Sequence, residues 1–365
     1  MLQGIKIVEI CGIGPGPFCA MHLADLGADV IAVERAVEGK QPTEKAPLNR
    51  GKRSIVVDLK TAEGRETVLK LVEDADALIE GMRPGVMERL GLGPEVLQAR
   101  NPRLVYGRMT GWGQEGPMAN AAGHDNNYIS LSGALYYTGT ADDIPSSPIT
   151  AIGDIGGGAL YLAVGILSGI LNARATGKGT VVDAAIVDGS AHMLSLLLAT
   201  RGKLTFGDRG ENAHDSSHFY ATYRCRDGKF VTVGSIEPQF YAILLEKLGL
   251  DPAATPQWDR KRWPALKKQF AEIFATKTRD EWCALMEGTD VCFGPVLSPD
   301  ESAKHPHMQA RGVYFEREGR LEVTPAPRFD GKALEAGAVP TYGQHSEEVA
   351  AALKQGAGAV WRKAK

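Results

Sequence analysis

Two short segments carry the residue types that could do chemistry: Gly123-His124-Asp125-Asn126-Asn127-Tyr128 and Gly153-Asp154-Ile155-Gly156-Gly157-Gly158. The first sets an imidazole in a polar, turn-rich stretch. The second sets a carboxylate where a glycine-rich turn enters the apolar run from Ala159 to Leu171. A carboxylate at or near a helix start is stabilised by the macrodipole and by free backbone N–H groups. The three glycines that follow let a second backbone or a ligand approach closely. Brought together, His124 and Asp154 could move a proton at one centre. Read alone, Asp154 is an N-cap and His124 an ordinary loop histidine.

The surrounding pattern has to position them. Ile5 to Ile10 reads as a buried strand, Gly12 to Pro17 as a turn, and Phe18 to Leu26 as a helix stopped by Gly27. Asp29 to Glu34 is then a second strand, which makes a βαβ unit and implies a parallel sheet. The alternation continues with strands at Ser54–Leu59, Ala77–Glu80 and Leu104–Met109. Between them lie helices at Ala62–Asp74, capped by Thr61, and Pro94–Ala99. Two further helices are expected at Gly156–Asn172 and Ala184–Arg201, with a short β-like run between them. The predicted fold is α/β, a Rossmann-like doubly wound parallel sheet forming a large domain over residues 1–200. A linker follows over 201–216, then a smaller α+β domain over 217–296. That domain opens on a hairpin, Tyr220–Cys225 and Lys229–Val233, followed by helices at Glu237–Leu248 and Trp263–Phe274 and one opened by the capping box at Thr278. Residues 297–365 form a linker that returns to the large domain.

The first turn is a near-miss to the dinucleotide fingerprint. Gly12, Gly14 and Gly16 alternate without the two-residue gap before the last glycine, and Pro15 and Pro17 remove N–H donors. Arg35 suggests another use of the crevice, because a guanidinium at a strand end is well placed to take a phosphate. Arg83 and Arg89 lie near the end of another strand. The net charge of −3 gives no support for nucleic-acid or membrane-surface binding, so an anionic ligand needs a local basic pocket. Ile5–Ile10 is too short for a signal core and carries Glu9, and Ala159–Leu171 is too short for a bilayer span. Five cysteines without C-x-x-C spacing fit reduced thiols, and the expected location is cytoplasmic. His214 and His218 have the spacing of metal ligands but sit in a Gly/Asn/Ser-rich loop without a third ligand, so no metal is expected.

In order along the chain, I-V-E-I-C-G-I-G-P-G-P-F-C-A, V-E-R, V-D-L-K and G-M-R-P-G-V-M-E-R-L-G-L-G form a set. R-M-T-G-W-G-Q-E-G-P, G-H-D-N-N-Y, G-D-I-G-G-G-A, G-K-G-T-V-V-D-A-A and I-E-P-Q-F-Y complete it. This set, from Val8 to about Pro327, resembles the class III coenzyme A transferase family and, within it, the α-methylacyl-CoA racemases. The resemblance implies an interlocked homodimer with active sites between large and small domains of different subunits. It places Arg35, Val57, Asp58, Leu59 and Lys60 on acyl-CoA-contacting segments, with Gly81, Met82, Arg83 and Arg89. Gly123, Asp125, Asn126, Asn127 and Tyr128 fall on another such segment.

His124 and Asp154 fall on the racemase's proton-transfer positions, and Glu237 matches the acid that partners the histidine. The implied reaction inverts the carbon α to a CoA thioester through an enolate, within lipid metabolism. Backbone N–H groups near Asp125 or the glycine turn would hold the enolate oxygen, worth roughly 3–4 kcal/mol. No cofactor is needed, coenzyme A being part of the substrate. The alternative within the family is a CoA-transferase, in which Asp154 forms an acyl anhydride and then a CoA thioester. Those enzymes typically lack the histidine, and some carry a glycine run in the small domain that this chain lacks.

Overall fold

The structure is a computed structural model that describes residues 1–140, 142–202 and 206–362. Residues 203–205 of the expected linker, and 363–365 of the tail, lie outside the described residues. Six parallel strands form one sheet: β1 (Lys6–Ile10), β2 (Asp29–Arg35), β3 (Arg53–Val57), β4 (Ala77–Glu80), β5 (Val105–Thr110) and β6 (Val181–Ala185). Their order is β3-β2-β1-β4-β5-β6, the doubly wound arrangement. Alternation along the strands explains how both faces are buried. Val8, Ile10, Ile31 and Val33 join one core cluster, while Ile5, Ile7, Val30 and Ala28 join the other. Helices α1 (Pro15–Asp25), α2 (Ala62–Val72), α3 (Val86–Arg89) and α4 (Pro94–Arg100) follow β1, β3 and β4. Of these, α2 and α4 cover the first face, with Val68, Leu71 and Leu97; α1 covers the second, with Cys19 and Leu23.

After β5 the chain forms α5 (Asp125–Ser132), then a π-helical segment (Ala151–Ala159) running without a break into α6 (Leu160–Thr176). The helix therefore starts five residues before the expected Gly156, and Asp154 lies inside it rather than ahead of it. Gly177, at φ 77°, caps its end in the left-handed conformation. The run Ala151–Thr176 is 26 residues, long and apolar enough by length and composition to cross a membrane. That is longer than the apolar stretch alone suggests. It lies against the sheet through Leu162, Ala163, Ile166 and Ile170, and exposes Leu160, Val164 and Leu171. The expected helix from Ala184 is also corrected. Ala184 and Ala185 are strand residues paired with Met109 and Thr110, so the ladder overrides alanine's helix preference. The helical part is α7 (Ile186–Met193) and, after a break at Leu194, α8 (Ser195–Thr200).

The chain divides into two compact units: 1–135 with 147–193 and 315–365, and 136–146 with 194–314. The second contains α8, the short helix α9 (Ala213–Ser216) and a three-stranded antiparallel sheet of β7 (Tyr220–Arg224), β8 (Phe230–Gly234) and β9 (Phe293–Pro295). Between β8 and β9 lie α10 (Pro238–Leu248), α11 (Trp263–Phe274) and α12 (Arg279–Met286), packed around Phe219, Phe270, Phe274 and Trp282. The capping box at Thr278 and Glu281 forms as expected. Two short helices, α13 (Pro299–Lys304) and α14 (Pro306–Ala310), follow β9. The hairpin β10 (Tyr314–Arg317) and β11 (Arg320–Val323) was not anticipated from the sequence. The tail carries α15 (Ser346–Leu353), whose Val349 joins the core under β3, as do Val360 and Trp361 beyond it.

Candidate active site

Strand order creates the site. β1 turns to β2 on one side and has β4 as its other neighbour, so the loops leaving β1 and β4 part and open a crevice. A cavity of about 510 Å³ occupies this position. It is lined by Gly12 to Pro17 after β1, Gly81 to Pro84 after β4, and Thr110 to Trp112 after β5. His124, Asn127, Tyr128 and Asp154 also face it. The two segments singled out in the sequence therefore meet in one cavity.

Each side chain has a local reason for its place. His124 is the residue before α5, in extended conformation, and its backbone N–H donates to the Asn127 side chain at 3.1 Å. The N–H groups of Asp125 and Asn126, in the first turn of α5, have no acceptor among the described residues, as befits a helix start. The Tyr128 hydroxyl donates to the Gly123 carbonyl, and its ring stands edge-on to Trp112 at 4.8 Å. That pair closes the cavity between the β5 loop and α5. Asp154 is half-buried. Its Oδ2 lies 3.6 Å from where a Cβ on Gly14 would be, so the glycine loop passes directly over the carboxylate. Gly14 itself has φ 75°, a conformation that favours glycine.

Electrostatics tune the carboxyl. Burial pushes the Asp154 carboxyl above the ordinary aspartate range, the neighbouring Asp125 adds to this, and His124 partly offsets it. Burial also raises Tyr128, with a contribution from Asp154, while Arg83 acts the other way. Under the cavity floor, burial pushes Glu80 up to about 7. Its Oε2 accepts the Met82 N–H at 2.6 Å and so fixes the β4 loop. Arg108 stands 3.9 Å from the other Glu80 oxygen and pairs with Glu88.

The other sequence-selected residues are spread more widely. Gly81, Met82, Arg83, Gly123 and Asn127 line the cavity, and Asn126 is exposed beside it. Arg35 is exposed at the end of β2. Arg89 ends α3, its Nη1 close to Gly85. Val57 is buried beneath α2 and α15, and Leu59 packs against the same core. Asp58 turns back to take the Lys60 N–H at 3.0 Å, while its carbonyl accepts the Thr61 hydroxyl. Val57 and Asp58 line a separate cavity bounded by α2 and α15. Glu237 lies in the second unit, exposed at the start of α10. His214 lies in α9, a helix where the sequence suggested a loop, against Phe206 and Tyr220. His218 is fully buried, bonded to the Tyr241 hydroxyl at 2.7 Å and lowered by burial to about 4. Among the described residues no group of three or more His, Cys, Asp or Glu is arranged to hold a metal ion.

Trp112, Thr110 and Ile186 were missed as cavity residues. The first two follow a predicted strand, and the strand-end rule that selected Arg35 and Arg83 would have found them. The burial of the Asp125 carboxylate had no local signal.

Residues 2–346 match the family model described as CoA-transferase family III. The alpha-methylacyl-CoA racemase of Homo sapiens is 44% identical over 358 residues, 95% of this chain and 92% of that protein. The alpha-methylacyl-CoA racemase of Mus musculus is 41% identical, over 96% of this chain and 92% of that protein. A CAIB/BAIF family protein from Brucella suis has a solved structure that superposes with a TM-score of 0.81 at 30% identity, covering 96% of this chain and 98% of that one. With the motif set, the doubly wound sheet and a family match that runs almost end to end, the chain belongs to CoA-transferase family III.

Proposed function

We propose that this enzyme is a 2-methylacyl-CoA racemase. The observation that carries the reading is that an imidazole and a carboxyl of raised proton affinity face one cavity at the strand-order switch. The identity to racemases over nearly the whole chain supports it. A thioester acidifies its α-hydrogen because the carbanion delocalises onto oxygen. One group removes that hydrogen and the other returns a proton to the opposite face, so each must switch protonation state with the direction of turnover. Asp154 suits this exchange, since its raised affinity brings a carboxyl closer to an imidazole. By the family resemblance Glu237 is the acid that partners the histidine, and its proposed role is to orient and charge the imidazole in the manner of a triad acid. The free N–H groups at the start of α5 are the donors for the enolate oxygen. Arg35, Arg83 and Arg89 take the phosphates of the CoA moiety, alongside the Val57–Lys60 segment. The chemistry is proton transfer alone and calls on no cofactor.

The functional form is a homodimer, which we read as interlocked and cytoplasmic. Leu160, Val164 and Leu171 are 41%, 64% and 69% exposed along one stripe of α6, an apolar face that a second copy would cover. The second reading, a CoA-transferase, rests on Asp154 itself, a carboxylate open to the cavity that could attack a thioester. Incubation with a chiral 2-methylacyl-CoA in D₂O separates the two. Inversion with C2 deuterium uptake is the expected result. Acyl exchange with a free acid, and a hydroxamate at Asp154 when hydroxylamine is added during turnover, would move the assignment to the transferase.

A further inference from the structure

The helix that carries Asp154 begins without a cap of its own. Thr150, in the left-handed region at φ 50°, offers its side chain to no N–H, and the first internal π bond runs from Ile155 N–H to the Thr150 carbonyl at 3.2 Å. A π turn reaches back five residues instead of four, so one more N–H is left over at its start. The Asp154 N–H is such an orphan, and Asp125 Oδ2 accepts it at 2.6 Å from another helix. Asp125 is the first residue of α5, where a carboxylate ordinarily faces water, yet it is only 4% exposed. Its second oxygen, Oδ1, is buried with no partner among the described residues. Burying a carboxylate this way is costly, so the position needs a reason beyond capping α5. Gly153 makes the room: a Cβ there would lie 2.7 Å from the Asp125 carboxyl carbon and 2.9 Å from Ile129 Cγ2.

We propose that the Asp125 side chain is a clamp between the two proton-transfer segments. It caps in trans the helix bearing Asp154, and it belongs to the residue that directly follows His124, so one group fixes both. It is a positioning residue; its side chain faces Asp154, and its backbone N–H remains for the ligand. Its charge has a second effect, since it helps hold the Asp154 carboxyl above the ordinary range. The other groups facing Asp154 are His124 and Tyr128 at the start of α5, with Arg83 across the cavity. The loop before α1 presents only glycine and proline beside its isoleucine, and α7 presents Ile186.

Two substitutions in the full chain separate cap from charge. Asp125→Asn keeps an acceptor oxygen and removes the charge, while Asp125→Ala removes both. Hydrogen–deuterium exchange of the 151–158 segment should quicken in Asp125→Ala and stay at the parent level in Asp125→Asn. The Ala variant should lose about 10²-fold in kcat with KM within about threefold, as for a misplaced catalytic group. In Asp125→Asn the acidic limb of the pH–rate profile should move to lower pH, for the enantiomer deprotonated by Asp154, because a nearby negative charge has gone. Gly153→Ala crowds the same carboxylate without altering it and should reproduce the Ala variant's exchange, which keeps the test usable if Asp125→Ala does not fold. Unchanged exchange in both Asp125→Ala and Gly153→Ala would overturn the clamp, and an unmoved acidic limb in Asp125→Asn would overturn the charge effect. The kinetic arm rests on the proposed racemase reaction. A parent enzyme that fails to invert its substrate defeats that reaction, while hydrogen exchange still decides the clamp.

Discussion

The carboxylate of Asp154 is carried by a helix pressed against α7 through glycines, and Gly157→Ala tests what that contact sets. A Cβ at Gly157 would lie 2.5 Å from the Ser190 nitrogen and 2.9 Å from its Cα. Both are backbone atoms, so neither can rotate aside. From the other helix, a Cβ at Gly189 would run into the Gly157 carbonyl. The backbone at Gly157 is outside the left-handed region, so alanine itself is unstrained and should gain up to about 1 kcal/mol in helix preference. Overpacking should cost about 1–3 kcal/mol. The two largely offset, and urea denaturation should show a loss no greater than about 2 kcal/mol. Geometry does not cancel in the same way. Restoring ordinary contact distance requires the helices to part by about 1 Å, and Asp154 lies within one turn of the contact. A shift of that size costs about 10²-fold in kcat, or about 2.7 kcal/mol of barrier. The expected signature is therefore near-parental stability with a hundredfold slower inversion of a chiral 2-methylacyl-CoA. A variant with kcat within about threefold of the parent would refute the reasoning, because the glycine contact would then not set the position of the carboxylate.

Glu80 predicts a pH dependence of stability. Its carboxyl titrates near 4.5 when unfolded and near 7 when buried, so the folded state holds the proton more tightly. The resulting stabilisation is complete below about pH 4.5 and is lost as pH rises through 7, a change of about 3 kcal/mol. Glu80→Gln keeps an acceptor for the Met82 N–H but cannot titrate, so its urea midpoint should lack this decline; a parallel decline in the variant would refute the assignment. Arg35→Ala and Arg83→Ala should each weaken acyl-CoA binding by about 1.5–3 kcal/mol, as for a lost charge-assisted hydrogen bond. Calorimetric dissociation constants unchanged in both would remove these arginines from the site.

What was legible in the sequence was what local periodicity writes. Strands buried on both faces, such as Val30 to Val33, appear as unbroken apolar runs, and their spacing with helices implies a parallel sheet. The errors fall where pairing or packing from afar decides. Ala184 and Ala185 read as helix because the strand that recruits them, β5, lies over seventy residues earlier. The start of the Asp154 helix was misplaced for a similar reason. Asp154 is held in it by a bond to Asp125, 29 residues away, that no window of sequence contains. His124 and Asp154 were legible as candidates because their neighbours were unusual. Their convergence was legible only through family resemblance.

The same geometry explains why the glycine turn after β1 departs from a nucleotide-binding loop. In that fingerprint, glycines open the backbone so that N–H groups can cradle a pyrophosphate. Here Pro15 and Pro17 lack those donors, and α1 starts with proline in its first turn. The loop keeps the glycines for a different neighbour: Gly14, whose φ of 75° favours glycine, passes over Asp154 so that a Cβ there would lie in ordinary contact, 3.6 Å from the Asp154 Oδ2. The crevice at the strand-order switch is thus of the kind the dinucleotide folds use, but what lies close to its first turn is a carboxyl group. A sheet that elsewhere orders its first turn to bind an anion here orders it to roof one. Water access to Asp154 is reduced on that side, and burial then raises its proton affinity. The departure from the fingerprint and the tuning of the carboxyl are, on this geometry, one feature of the fold.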